Sequence, residues 1–236
     1  MKNLCQIKQS VSLTDIGVKR SKNEDFHAAL PDCGFFAIAD GMGGHRAGEV
    51  AAQEAVNYLC NAVKELLITT SSGFEKEIRR IYENANDWIY RLSRTNEAFF
   101  GMGTTLCSLL ILKDKLIFGH IGDSRIYCLR QKRLHQITLD HVAMIREKGQ
   151  SHQKRKVLTQ VIGSSKFIEP QIGQIAIQAE DIYLICSDGL SDFVSQEYIQ
   201  LILNSRFTLQ DRVSLLIETA KQQGSKDNIT IIAIEV

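Results

Sequence analysis

Apolar and polar residues alternate from Ile7 to Leu13 and run together from Phe35 to Ala39, the patterns of short strands. Past Gly43-Gly44 the period changes. Ala47, Val50, Ala51, Ala55, Tyr58, Leu59, Ala62, Val63 and Leu66 recur at helical spacing and predict an amphipathic helix of about five turns. A second helix is predicted with Phe74, Ile78, Ile81, Ala85, Trp88, Ile89 and Leu92 on one face. The strand pattern returns in TLCSLLIL (105–112), KLIFGHIG (115–122) and SRIYCLR (124–130). A helix is expected from about Leu139 to Lys148, followed by strands around Gln171 to Ile177 and Asp181 to Cys186. Helices over Gln196–Leu203 and Leu209–Gln222 precede a last strand, Asn228–Ile234. Strands cluster with helices grouped between them, without regular βαβ alternation. The expected class is therefore α+β, in layers, with mostly antiparallel sheets.

Composition narrows the picture. No linker, low-complexity tract or repeat interrupts the chain, so residues 1–236 are read as a single domain. At 44% hydrophobic and 23% charged, with two prolines, it has the make-up of a soluble globular protein. A net charge of +1 gives no reason to expect nucleic acid or a membrane surface as partner. Cysteines 5, 33, 60, 107, 128 and 186 are scattered without a CxxC pair, which argues against structural zinc or a disulfide framework. MKNLCQIKQS lacks a signal-peptide core, and the longest uncharged apolar segment, Leu106–Leu112, is too short to span a bilayer. The expectation is a cytoplasmic protein with reduced thiols.

The candidate chemistry lies in the aspartates. Asp40 ends FFAIAD and precedes Gly41; Asp123 ends LIFGHIGD; Asp188 ends IYLICSD and precedes Gly189; Asp227 stands just before NITIIAI. Four carboxylates at the rims of apolar strands would repel one another unless cations neutralise them. All-oxygen donors suit Mg²⁺ or Mn²⁺ rather than zinc. Adjacent glycines let the backbone turn and let a carbonyl approach as a further ligand. Any single Asp-Gly pair is more often a simple turn than a ligand.

The segments RSKNED (20–25), DGMGG (40–44), GTT (103–105), GDSR (122–125), DH (140–141), SDGL (187–190) and DN (227–228) occur in order. Together they resemble the motif series of the bacterial type 2C (PPM) metal-dependent protein serine/threonine phosphatases, over nearly the whole chain. The resemblance implies a four-layer α-β-β-α sandwich, two mostly antiparallel sheets flanked by helices, and a cleft holding two Mn²⁺ or Mg²⁺ ions with a possible third. In it Asp40 bridges the two metals and the Gly41 carbonyl binds one, while Asp188 and Asp227 hold the other. Glu24 holds metal-bound water with Asp25 in support, Asp123 with Asp188 holds a weaker third ion, and Arg20 grips the substrate phosphate. The implied reaction is direct attack of a metal-activated water on phosphoserine or phosphothreonine. The implied partners are phosphorylated proteins, a Ser/Thr kinase and its substrates, met in signal transduction by a monomer.

The sequence departs from this pattern at two places. Met42 stands where eukaryotic relatives carry a histidine proposed as general acid; His45, three residues on, is either a proton donor or a helix-start residue. The flap from His141 to Gly163 is shortened between Gly149 and Lys156 and is basic, with Arg146, Lys148, Lys154, Arg155 and Lys156. It reads either as a solvated loop or as a shaper of substrate choice. His120 reads as a satisfied core histidine, Thr104 and Thr105 as strand-opening residues, and Trp88 as part of its helix's apolar stripe. No cysteine has an arginine six positions on, GDxH and GNHE segments are absent, and DGMGGH lacks the lysine of a P-loop. The alternatives left open are a catalytically silent pseudophosphatase that binds phosphoproteins and a phosphatase acting on an anti-sigma-factor antagonist.

Overall fold

Strands whose two faces are both covered have no polar side, which is why several of these read as unbroken apolar runs. The computed structural model describes residues 7–42, 47–146 and 154–236, with the side chains of Arg146 and Lys154 outside that description. In chain order the elements are β1 (Gln9–Asp15), β2 (Asp25–Leu30), β3 (Phe35–Met42), α1 (Gly48–Thr69), α2 (Phe74–Leu92), β4 (Gly103–Thr104), β5 (Leu106–Ile111), β6 (Lys115–Ile121), β7 (Arg125–Arg130) and β8 (Arg133–Gln136). There follow β9 (Val142–Arg146), β10 (Lys154–Leu158), β11 (Gln171–Ala176), β12 (Ile182–Cys186), α3 (Asp188–Ser191), α4 (Gln196–Leu203), α5 (Leu209–Gln222) and β13 (Ile229–Glu235).

Two antiparallel sheets carry the fold, ordered β1-β13-β12-β7-β8 and β11-β6-β5-β3-β2. Alternation along each strand divides its side chains between two cores. From β3, Phe35, Ala37 and Ala39 pack under α1 and α2, while Phe36 and Ile38 face the other sheet. From β13, Ile229, Ile231 and Ala233 pack under α4 and α5, while Ile232 and Ile234 join the core between the sheets. The result is four layers, α-β-β-α, with three apolar interfaces. Among the described residues no helix is long and apolar enough to cross a membrane. Cys33, Cys60, Cys107, Cys128 and Cys186 are free thiols.

Two expectations need correction. The segment expected as a helix over 139–148 contains the strand β9, whose Val142 and Ala143 pair with Leu158 and Val157 of β10. A partner strand decided there over a weak local preference, and residues 147–148 lie outside the described part. Trp88 does not join the apolar stripe of α2: it is 45% exposed and its Nε1 donates to Glu54 Oε2 at 3.1 Å. The core stripe is Ile78, Ile81, Tyr82, Ala85 and Ile89, and the position before Ile89 falls at the helix flank.

Candidate functional site

The topology brings the aspartates to one edge. β3 and β6 are each antiparallel to β5, so they run in the same direction and end together. β12 ends and β13 begins at one edge of the other sheet because they are antiparallel neighbours. Asp40, Asp123, Asp188 and Asp227 line one cleft of about 700 Å³ with Arg20, Glu24, Gly41, Glu49, Thr105 and Lys156. Asp40 does not end its strand: β3 continues through Gly41 and Met42, which pair with Thr104 and Gly103 of β4.

Short polar side chains hold this rim. Thr105 Oγ1 accepts the Asp40 N–H at 2.9 Å and shares a 2.8 Å hydrogen bond with Ser124 Oγ. Thr104 Oγ1 donates to the Asp40 carbonyl at 2.9 Å. The main chain of Asp40 is thus gripped on both sides, a role beyond opening a strand. Asn228 Oδ1 accepts the Glu24 N–H at 2.8 Å, and its Nδ2 donates to the carbonyls of Ile16 (2.9 Å) and Lys22 (3.0 Å). That one amide pins the segment carrying Arg20 and Glu24 beside Asp227. Asp25, paired across strands with Asp40, is buried behind it and accepts from Ser187 Oγ at 2.8 Å.

The GDSR and DH segments serve to brace the rim. Arg125 Nη2 donates to Asp140 Oδ2 at 2.7 Å and its Nε bonds both Asp140 oxygens. His141 Nδ1 accepts the Gly122 N–H at 3.2 Å, and its ring stacks on His120 at 4.8 Å. His120 is buried, with Nδ1 3.0 Å from Cys107 Sγ and Nε2 3.0 Å from the Leu139 carbonyl; burial and then His141 push its pKa to about 4. It is a satisfied core histidine.

Sequence reasoning missed Asn228, Ser187, Ser124 and Asp192. The first three lie inside quoted motifs, and Asp192 sits four residues after Asp188, on the same side of a helical turn. It also missed the part played by Lys156, which is no solvated loop residue: its Nζ lies 2.8 Å from Asp123 Oδ2 and 2.8 Å from Asp192 Oδ2. Arg20 Nη2 donates to Asp227 Oδ2 at 2.7 Å, in a pair exposed enough to contribute at most about 1 kcal/mol. His45 and Lys148 fall outside the described residues.

Burial and mutual repulsion dominate the electrostatics of these carboxylates. Burial, then repulsion from Asp25, Asp188, Asp227 and Asp123, raises the Asp40 pKa well above the usual carboxylate range. Burial, then Asp123, Asp192 and Asp227, pushes Asp188 up to about 7. Burial pushes Asp25 up to about 6 against the opposing hydroxyls of Thr230 and Ser187. Buried oxygens with no hydrogen-bond partner among the described residues include Asp25 Oδ1, Asp188 Oδ1 and Glu49 Oε2. Such acceptors, all oxygen, fit hard divalent ions. Among the described residues no three acidic, histidine or cysteine groups converge tightly enough to chelate one ion on their own.

A raised folded-state carboxylate pKa means that the native protein binds more protons than the unfolded chain, so stability falls as pH rises through that window. Metal-free protein is therefore expected to lose stability as pH rises from about 4, the ordinary carboxylate value, through the Asp188 value of about 7. Saturating Mn²⁺ should flatten or reverse the slope, because the ion competes with protons for the same oxygens. Urea midpoints against pH, with chelator and with Mn²⁺, measure this; a metal-free midpoint that climbs with pH would contradict it.

The protein phosphatase 2C family profile matches residues 18–229. The chain is 34% identical to the protein phosphatase PhpP of Streptococcus pneumoniae over 95% of its own length and 96% of that protein's. It superposes on the serine/threonine phosphatase of S. agalactiae with a TM-score of 0.86, at 34% identity, over 97% of this chain and 99% of the other. With the catalytic domain of the serine/threonine protein phosphatase PstP, solved in complex with two manganese ions, the TM-score is 0.81 at 32% identity, over 96% and 97% of the two chains.

Proposed function

Because this chain belongs to the protein phosphatase 2C family, we propose that it hydrolyses phosphoserine and phosphothreonine in proteins, using two divalent ions held in the aspartate cleft. The observation that carries the reading is the convergence of Asp40, Asp188 and Asp227 beside Arg20 in one open cleft, with Asp188 Oδ1 buried and unpartnered among the described residues. Asp40 and the Gly41 carbonyl would serve one ion, with Asp40 shared, and Asp188 and Asp227 the other. Bound there, Mn²⁺ or Mg²⁺ would acidify a water toward neutral pKa and neutralise charge on the phosphoryl oxygens.

The chain's own groups supply the rest. Arg20 exchanges its weak surface pair with Asp227 for the phosphate oxygens, which its planar fork fits two at a time. Thr104 and Thr105 hold Asp40 at a fixed depth, so no reorganisation is needed as charge develops. Glu24, fixed through Asn228, accepts hydrogen bonds from water in the cleft. Met42 has no proton to give, so the leaving alkoxide takes one from His45 or from solvent. Substrates of this class come from a Ser/Thr kinase, which the enzyme would oppose. A silent binding module has less support, since such proteins usually lose a metal aspartate and all four are present in this cleft.

The test is phosphate release from a phosphothreonine peptide with Mn²⁺, then with chelator, then with Mn²⁺ restored. Release is expected to stop and return; release that persists in chelator would falsify the metal reading.

A further inference from the structure

We infer that the Lys156 ammonium takes the place of a third divalent ion beside Asp123, closing that position to metal and tying the β10 strand across the cleft. The inference deepens the proposed metal chemistry of the same cleft and rests on it.

The side chain comes from β10, is half-buried, and reaches two carboxylates of different elements. Its Nζ lies 2.8 Å from Asp123 Oδ2, and 2.8 and 3.0 Å from the two oxygens of Asp192. Asp123 is itself buried. A divalent ion on either oxygen of Asp123 would sit within a few ångströms of the Lys156 ammonium on Oδ2, and like charges that close repel strongly. Of the two carboxylates expected to hold a third ion, Asp123 is therefore already paired with a cation, which the resemblance to three-metal relatives does not anticipate.

The same bonds have a mechanical consequence. Arg155, Val157 and Leu158 of β10 also line the cleft, and the β9–β10 pair is joined to the rim through Lys156.

The experiment counts bound Mn²⁺ per chain, by equilibrium dialysis with paramagnetic resonance of the free ion. The proteins are the full chain, Lys156→Met, Lys156→Met with Asp123→Asn, and Asp123→Asn alone. Lys156→Met is expected to hold one more ion than the unaltered chain, and adding Asp123→Asn should remove it again. Equal counts for Lys156→Met and the unaltered chain overturn the inference. The unaltered count itself judges the two-ion reading, so the two can fail separately. Should Lys156→Met not fold, by near-ultraviolet circular dichroism, Asp123→Asn alone decides. An unchanged count supports the inference, because Asp123 then serves the lysine and not a metal; one ion lost overturns it.

Discussion

Asp188→Asn is expected to lower kcat/KM on a phosphothreonine peptide by about 10³-fold or more, the scale lost when preorganised charge stabilisation is removed. Asparagine keeps the volume of the side chain, so no cavity opens. What disappears is one charge and one strong oxygen donor, at a residue whose Oδ1 has no hydrogen-bond partner among the described residues. Mn²⁺ affinity should fall by more than about 100-fold, since even partners outside the immediate ligand set cost 10–100-fold. Metal-free stability should move the other way. Burial, then repulsion from Asp123, Asp192 and Asp227, holds the Asp188 pKa up at about 7, so removing its charge removes both penalties. Lost activity and metal binding, with an unchanged or raised metal-free melting temperature, is a combination that damage to the fold does not produce. Turnover close to the unaltered enzyme would take Asp188 out of the site.

Gly41→Ala should disturb both stability and chemistry. A Cβ on Gly41 would overlap the carbonyl oxygen of Gly48 at the start of α1 and come within 2.6 Å of the Glu24 carbonyl oxygen. Every close neighbour is backbone, so no flexible side chain can yield. β3 and α1 must separate, and the 3.1 Å bond from the Gly41 N–H to the Glu24 carbonyl must stretch. The expected cost is about 3 kcal/mol, the upper range for overpacking a tight interior. Gly73→Ala is the control: nothing lies within 4 Å of its Cβ, so only its positive φ of 73° is strained, costing about 1–2 kcal/mol. Urea denaturation in chelator compares the two. A Gly41→Ala protein no less stable than the control would mean that β3 and α1 yield more easily than their contact suggests.

Much of the fold was legible because its signals are local. The apolar runs of β5, β6, β12 and β13 and the helical stripes of α1, α2, α4 and α5 follow from period alone, since a residue's face is set by its own backbone geometry. The segment from 139 to 148 was misread because its apolar residues fit either period until a partner strand chose between them. Trp88 was misread because a stripe drawn too wide includes the flank of a helix.

The site divides along the same line. Sequence by itself determined that Asp40, Asp123, Asp188 and Asp227 stand at or near strand ends, and the ordered motifs assigned them expected tasks. Tertiary structure decided which groups surround them. Thr105 lies 65 positions from Asp40, Asn228 204 from Glu24, and Lys156 36 from Asp192. No periodicity encodes such pairs, because they depend on how two sheets and a flap strand meet. Arg20 meets Asp227 for the same reason. The largest change is at Asp123, which sequence alone offered as a metal ligand and whose oxygen is bonded to an internal lysine. A charge can be read from the chain, but the partner that balances it is chosen by distance, and distance belongs to the folded protein.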